Sequence, residues 1–234
     1  MFYELKATVL LKQEVHYLHV PERIGSWISR AALNDPVLKQ EHYSTGYKHI
    51  VYGNPYPREK DGIYKKDRVY VITIRSSLNE TLQRIDRSLH ILQEDNYFQL
   101  LALSGIQTKN PRHILELVTV TPAIVTVDGK PWVPGGNIEL LLSRIHANTE
   151  KKFHSLNPDQ KVRLDHYFAH GVQVENSKPI ALAYKGRKLL GNKIRLFIQE
   201  DPVSQQLAHT ALGSGILEKN SVLGAGFCLA KELD

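Results

Sequence analysis

The stretch Leu212-Gly-Ser-Gly-Ile-Leu-Glu-Lys-Asn-Ser-Val-Leu-Gly-Ala-Gly-Phe227 sets two Gly-x-Gly pairs around a short polar segment. A helical pattern from about Pro202 to Leu212 precedes it, and the run from Val222 to Leu229 reads as a closing strand. Glycine permits positive backbone angles and close approach, so successive amide N–H groups at Gly213, Gly215, Gly224 and Gly226 can point at an anion. A plainer reading makes Gly213 a helix C-cap and Gly224 a turn. The dinucleotide-binding fingerprint is excluded, because Glu218 stands where a third glycine is needed and a helix replaces the preceding strand. No Gly-x-x-x-x-Gly-Lys-Ser or -Thr phosphate loop occurs either.

The elements upstream set the context of this loop. Tyr3, Leu5, Ala7, Val9 and Leu11 alternate with Glu4, Lys6 and Thr8, which predicts a half-buried opening strand. A helix starts at Pro21, carries Ile24, Trp27, Ile28 and Ala31 at helical spacing, and is ended by Asn34, Asp35 and Pro36. Tyr47 to Tyr52 and Arg68 to Arg75 read as a long hairpin around Gly53, Pro55, Pro57 and Gly62. Leu78, Leu82, Ile85, Leu89 and Leu92 form a second helical stripe, and Tyr97 to Leu103 a strand. Strand, helix, strand, strand, helix, strand is the ferredoxin-like order.

The polar stretch Ser104 to Arg112, with Gly105 and Pro111, divides the chain into expected domains over 1–105 and 112–234. In the second, a strand region from Ile114 to Val127 breaks at Pro122, and a helix after Asn137 carries Ile138, Leu141, Leu142 and Ile145. A strand pair near Ile180 to Tyr184 and Lys188 to Ile198 precedes the last helix, the glycine loop and the last strand. Phe153 to Val174 shows no decisive pattern. The expected class is therefore α+β, two tandem ferredoxin-like domains with a C-terminal glycine-rich loop, although the halves share no sequence repeat.

With 30 Lys+Arg against 24 Asp+Glu among 234 residues, the chain carries +6, and its pI near 9.2 fits a polyanionic partner such as nucleic acid. Six of the basic residues, Lys178, Lys185, Arg187, Lys188, Lys193 and Arg195, fall between Asn176 and Gln199 with no acid among them. Lys193 and Arg195 alternate with Ile194, Leu196 and Ile198, so the cations face away from the core, either as a solvated face or as an RNA track. Cys228 is the only cysteine, which excludes an internal disulfide and a cysteine-based zinc cluster. His166 with His170, and His16 with His19, lack the companion ligands of a zinc motif, so no metal and no other cofactor is expected. The opening MFYELKATVLLKQ alternates where a signal peptide would run apolar, and no stretch reaches the length of a membrane span; a cytoplasmic protein is expected.

Leu212 to Phe227 closely resembles the glycine-rich loop of the pre-CRISPR-RNA endoribonucleases in the repeat-associated RNA-binding superfamily. Similar segments are Phe2-Tyr-Glu-Leu5, Gly46-Tyr-Lys48, Thr121-Pro-Ala-Ile-Val125 and Lys130-Pro-Trp132, so the resemblance runs through nearly the whole chain. It implies cleavage of precursor CRISPR RNA within repeats, with Lys185, Arg187, Lys188, Lys193, Arg195, Lys219 and the four loop glycines on the RNA. It also implies a catalytic histidine in Glu41-His-Tyr-Ser-Thr-Gly-Tyr-Lys-His49, a lysine after it, and attack by the RNA 2′-hydroxyl without metal. His42 and Lys48 match that layout. A histidine of ordinary pKa near 6.5 both takes and gives protons near neutrality.

His49 is the rival histidine, and Tyr43 and Tyr47 serve equally as ribose or phosphate contacts or as packing residues. Some relatives supply a catalytic tyrosine from the first helix, where this chain has Ser26, Trp27 and Ser29. A catalytically silent RNA-binding scaffold among other CRISPR effector subunits is the alternative function, and a ligand-binding regulator is a third. The resemblance leaves monomer and homodimer open.

Overall fold

The computed structural model describes residues 1–160 and 162–233. The first half runs β1 (Phe2–Leu11), β2 (Val15–His16), α1 (Val20–Ala32), α2 (Pro36–Tyr43), β3 (Ile50–Tyr52), β4 (Ile63–Tyr64), β5 (Val69–Ser76), α3 (Asn79–Leu92), β6 (Phe98–Leu103) and β7 (Gln107–Lys109). Its sheet has the order β3-β5-β1-β6, with β7 also on β1. The alternation of β1 holds from Leu5 onward: Leu5, Ala7, Val9 and Leu11 are buried in a core with Ile24, Trp27 and Ile28 of α1 and Leu82, Ile85 and Leu89 of α3, whereas Glu4, expected outside, is buried and Tyr3 is only partly so.

The second half runs β8 (Ile114–Thr119), β9 (Thr126–Val127), β10 (Lys130–Pro131), α4 (Ile138–Leu156), β11 (Ala169–Val174), β12 (Ile180–Tyr184), β13 (Arg187–Gly191), β14 (Ile194–Ile198), α5 (Pro202–Ser214), α6 (Asn220–Leu223) and β15 (Cys228–Glu232). Its sheet, β11-β14-β8-β15, repeats the order of the first. Both follow the ferredoxin-like pattern, in which the first and third strands lie side by side at the centre.

Three expectations are corrected. Asp35 and Pro36 do not merely end α1: the Asp35 carboxylate accepts the amides of Val37 and Leu38 at 3.0 Å each, and Pro36 opens α2. An Asp N-cap followed by Pro suits a helix start as well as a stop, so His42 lies in the last turn of a helix. The strand expected from Tyr47 begins only at Ile50, because His49 has φ +50 and cannot continue a pleat. In the second half, the sheet's second strand is β11, inside the stretch that shows no pattern, while β12 and β13 form a separate hairpin.

The halves interlock. Phe2 of β1 is buried in the second half's core with Leu117, Leu212 and Cys228. Arg75 bonds Glu4 at 2.9 Å and the Cys228 carbonyl at 2.7 Å, with its guanidinium between the rings of Phe2 and Phe227. Among the described residues no helix is long and apolar enough to cross a membrane.

Candidate functional site

A cleft of about 470 Å³ lies where the two halves meet. The segment before β3 supplies Tyr47, Lys48 and His49, α4 supplies Asn148 and Lys152, and the end of α5 supplies Ser214. Glu218, Lys219, Asn220 and Ser221 come from the glycine-rich segment, and Tyr184 from β12. Three of these residues are lysines and one is a glutamate, so the cleft favours an anion.

Lys152 forms part of its floor. The side chain is 1% exposed, and Nζ donates to the Gly215 carbonyl, the Leu217 carbonyl and Asn220 Oδ1, each at 2.7 Å. Those three acceptors take all three ammonium protons. Burial pulls the pKa of Lys152 down to about 7. Above it lies the Tyr47 ring, whose centroid is 5.8 Å from Nζ; burial, with Glu218 nearby, raises the Tyr47 pKa.

His49 is buried, and both ring nitrogens have serine partners: Nδ1 lies 3.0 Å from Ser214 Oγ and Nε2 lies 2.9 Å from Ser155 Oγ. Ser155 also donates to the Lys152 carbonyl at 2.8 Å, and Ser214 Oγ is 2.7 Å from Ser77 Oγ. With one proton per hydroxyl and one on a neutral ring, a single arrangement satisfies every contact. Ser77 donates to Ser214, Ser214 to Nδ1, Nε2–H to Ser155, and Ser155 to the carbonyl. Burial, with Lys152 adding repulsion, pulls the His49 pKa down to about 4, so the ring is neutral at pH 7.

His42 is exposed, its ring edge-on to Tyr43 with centroids 5.3 Å apart. It lines a depression of about 130 Å³ with Lys48, Glu41, Ser29 and Ser221. Lys48, Ile50, Ser221 and Val222 line both this depression and the cleft, so His42 and Lys48 lie on one continuous surface. Lys48 Nζ donates to Ser44 O at 3.0 Å and Ser44 Oγ at 3.2 Å, and burial lowers its pKa.

The amides of the loop glycines have partners within the protein. The Gly215 amide donates to the Ala211 carbonyl, that of Gly224 to Asn220, and that of Gly226 to Pro122. Gly213 is inside α5, where an added Cβ would meet Ser77 and Phe2. Gly224, at φ +57, abuts the Tyr52 carbonyl with no room for a Cβ. All four are buried. Their amides therefore bond within the protein, and the residues allow the segment to press against both halves; Lys219, at its exposed tip, is what reaches the cleft. Among the basic residues, Lys185, Arg187 and Lys188 are exposed on the β12–β13 hairpin, and Lys193 is partly buried. Arg195 differs, because its guanidinium is ion-paired with Glu116 and Glu175. His166 likewise meets Asp201, at 3.2 Å.

Several solved structures share this architecture at low sequence identity. A RAMP protein described as binding different RNA substrates superposes with a TM-score of 0.79 at 15% identity, over 98% of this chain and 100% of its own. The product of a Cas6-related gene from Pyrococcus furiosus gives 0.74 at 18% identity, over 100% of both chains. A CRISPR associated protein Cas6 gives 0.73 at 17%, over 99% of this chain and 100% of its own. The chain has the Cas6 and RAMP fold. No family model matches the sequence, and no curated protein does.

Within this Cas6-like architecture, Lys152, Ser155, Ser214 and Tyr184 escaped the sequence reading. Lys152 left a trace: it continues the buried stripe Leu141, Leu142, Ile145, Thr149 of α4, where an unpaired lysine is out of place. Tyr184 was legible only as a strand residue, and the serines give no signal in sequence.

Proposed function

We propose that this protein is an endoribonuclease that cuts precursor CRISPR RNA within its repeats, without metal. The observation that carries this reading is that His42 and Lys48 share one surface leading into a lysine-lined cleft between the halves. RNA brings its own nucleophile, the 2′-hydroxyl next to the scissile phosphate. His42 exchanges the proton with the hydroxyl or the leaving oxygen, and Lys48 stabilises the charge growing on the phosphorane. The products are a 2′,3′-cyclic phosphate, or the 3′-phosphate from its hydrolysis, and a 5′-hydroxyl. His49 is disfavoured as general acid or base, since both nitrogens are bonded to serines and its pKa lies near 4. We assign the chemistry to the first domain, 1–105. Much of the RNA grip is assigned to the second, 112–234, through Lys185, Arg187, Lys188, Lys193 and Lys219.

The test is single-turnover cleavage of repeat RNA in excess chelator, beside an RNA with deoxyribose immediately 5′ of the scissile phosphate. Cleavage of the first and only binding of the second are expected. Metal-dependent cutting, or cutting of the deoxy substrate, defeats the mechanism. A second reading, a silent RNA-binding scaffold within a CRISPR effector complex, draws on one observation: α1 offers Ser26, buried Trp27 and Ser29 where some relatives carry a catalytic tyrosine. That reading predicts tight binding with no cleavage under any condition.

A further inference from the structure

The tip of the β12–β13 hairpin brings an aromatic ring and two lysines together at the cleft. Tyr184 lines the cleft, and its ring has two ammonium groups over it: Lys185 Nζ 5.5 Å and Lys219 Nζ 5.7 Å from the centroid. These lysines come from different elements, one from the hairpin turn and one from the glycine-rich segment. The hairpin is fixed to the first half as well. The Ala183 amide donates to the Leu18 carbonyl at 3.0 Å, and the Lys185 amide to Glu22 Oε1 at 2.6 Å. Tyr184 packs at the edge of a small core of Ile124, Leu182, Leu223 and Ala225. Its position is thereby set by both halves, whereas Lys185 and Lys219 are exposed.

We propose that Tyr184 is a stacking platform for one nucleobase of a single-stranded RNA segment at the cleft, with Lys185 and Lys219 engaging the phosphates on either side of that nucleotide. A ring held in place beside two exposed cations is the arrangement that single-strand recognition needs. Every base has a face to stack, and an ammonium resting over a ring can exchange that weak contact for a phosphate. Lys48 continues the positive surface inward from this point, so the nucleotide on Tyr184 belongs to the strand that enters the cleft. The inference rests on the RNA-processing reading above, to which it adds a binding subsite.

Binding of a fluorescently labelled repeat RNA, and a set of the same RNA with a single abasic site moved along it, tests this. Wild type and Tyr184→Phe should bind alike, while Tyr184→Ala should lose affinity on the order of 5- to 150-fold, the range of one base stacked on an aromatic ring. One abasic position should weaken wild type by a similar factor and leave Tyr184→Ala unaffected, because the two changes remove the same contact. Full additivity at every abasic position, or unchanged affinity of Tyr184→Ala, overturns the proposal while leaving RNA processing intact. Wild type that neither binds nor cuts repeat RNA overturns both. A melting temperature of Tyr184→Ala equal to wild type excludes misfolding as the source of a loss.

Discussion

The substitution Lys152→Met separates the cost of burying the lysine charge from everything else in the protein. The amine has a pKa of 10.5 in an exposed lysine and about 7 in the fold. Between those values the unfolded chain binds the proton more tightly than the folded one, so raising the pH favours folding. The penalty is full below about pH 7 and gone above the ordinary lysine pKa. From pH 7 to pH 9 the wild type should therefore gain roughly 2 kcal/mol from this group alone, or about 4–8 °C in melting temperature for a chain of this size. The thioether in the variant cannot titrate. The variant also leaves the Gly215 and Leu217 carbonyls and Asn220 Oδ1 unpaired, at roughly 1–3 kcal/mol each, but that loss is the same at both pH values. Thermal or urea melts of both proteins at pH 7, 8 and 9 and constant salt give the difference directly. Other groups cancel between the two curves. Curves that run parallel from pH 7 to 9 refute the reasoning and mean that the three acceptors keep the ammonium charged throughout.

Single-turnover assays should show His42→Ala slower by about 10²- to 10⁴-fold with nearly unchanged RNA binding, as for a positioned acid or base, and Lys48→Ala should also cut more slowly. His49→Ala should lower the melting temperature, because it strips Ser155 and Ser214 of a buried partner; loss of cutting with an unchanged melting temperature would make His49 the catalytic residue. Neutralising Lys185, Arg187, Lys188 and Lys219 together should weaken RNA binding and flatten its salt dependence, whereas Arg195→Gln should change the salt slope little, since Arg195 already pairs with Glu116 and Glu175. Arg75→Met should destabilise by about 3–5 kcal/mol, read from urea melts, because Glu4 is left buried without its cation.

Periodic elements were the legible part of the sequence. The opening strand from Leu5 onward, Leu82, Ile85 and Leu89 of α3 and the alternation of β14 are buried as their patterns predict, because one face of each meets a core, whereas Leu78 at the end of the α3 stripe is exposed. β11 escaped because its sequence, Ala-His-Gly-Val-Gln-Val, buries little beyond Ala169 and is bulged at its start. At the site, the segment from His42 to His49 was legible as chemistry but not as geometry. Nothing in the sequence reveals that His49 turns inward at a positive φ to meet serines more than a hundred residues away. The glycine pairs were conspicuous for a real physical reason: without a Cβ they let the segment approach Tyr52 and Ile216 closely.

Phe2 lies in the core of the other half, and Arg75 reaches across to the carbonyl of Cys228. This has a mechanical consequence for anything that enters the cleft. A hinge motion that narrowed or widened it would have to draw an aromatic ring out of a packed interior and break the buried hydrogen bond from Arg75 to the Cys228 carbonyl in the same movement. The jaws are in effect a casting, and any strand that binds between them must take the curvature it finds there.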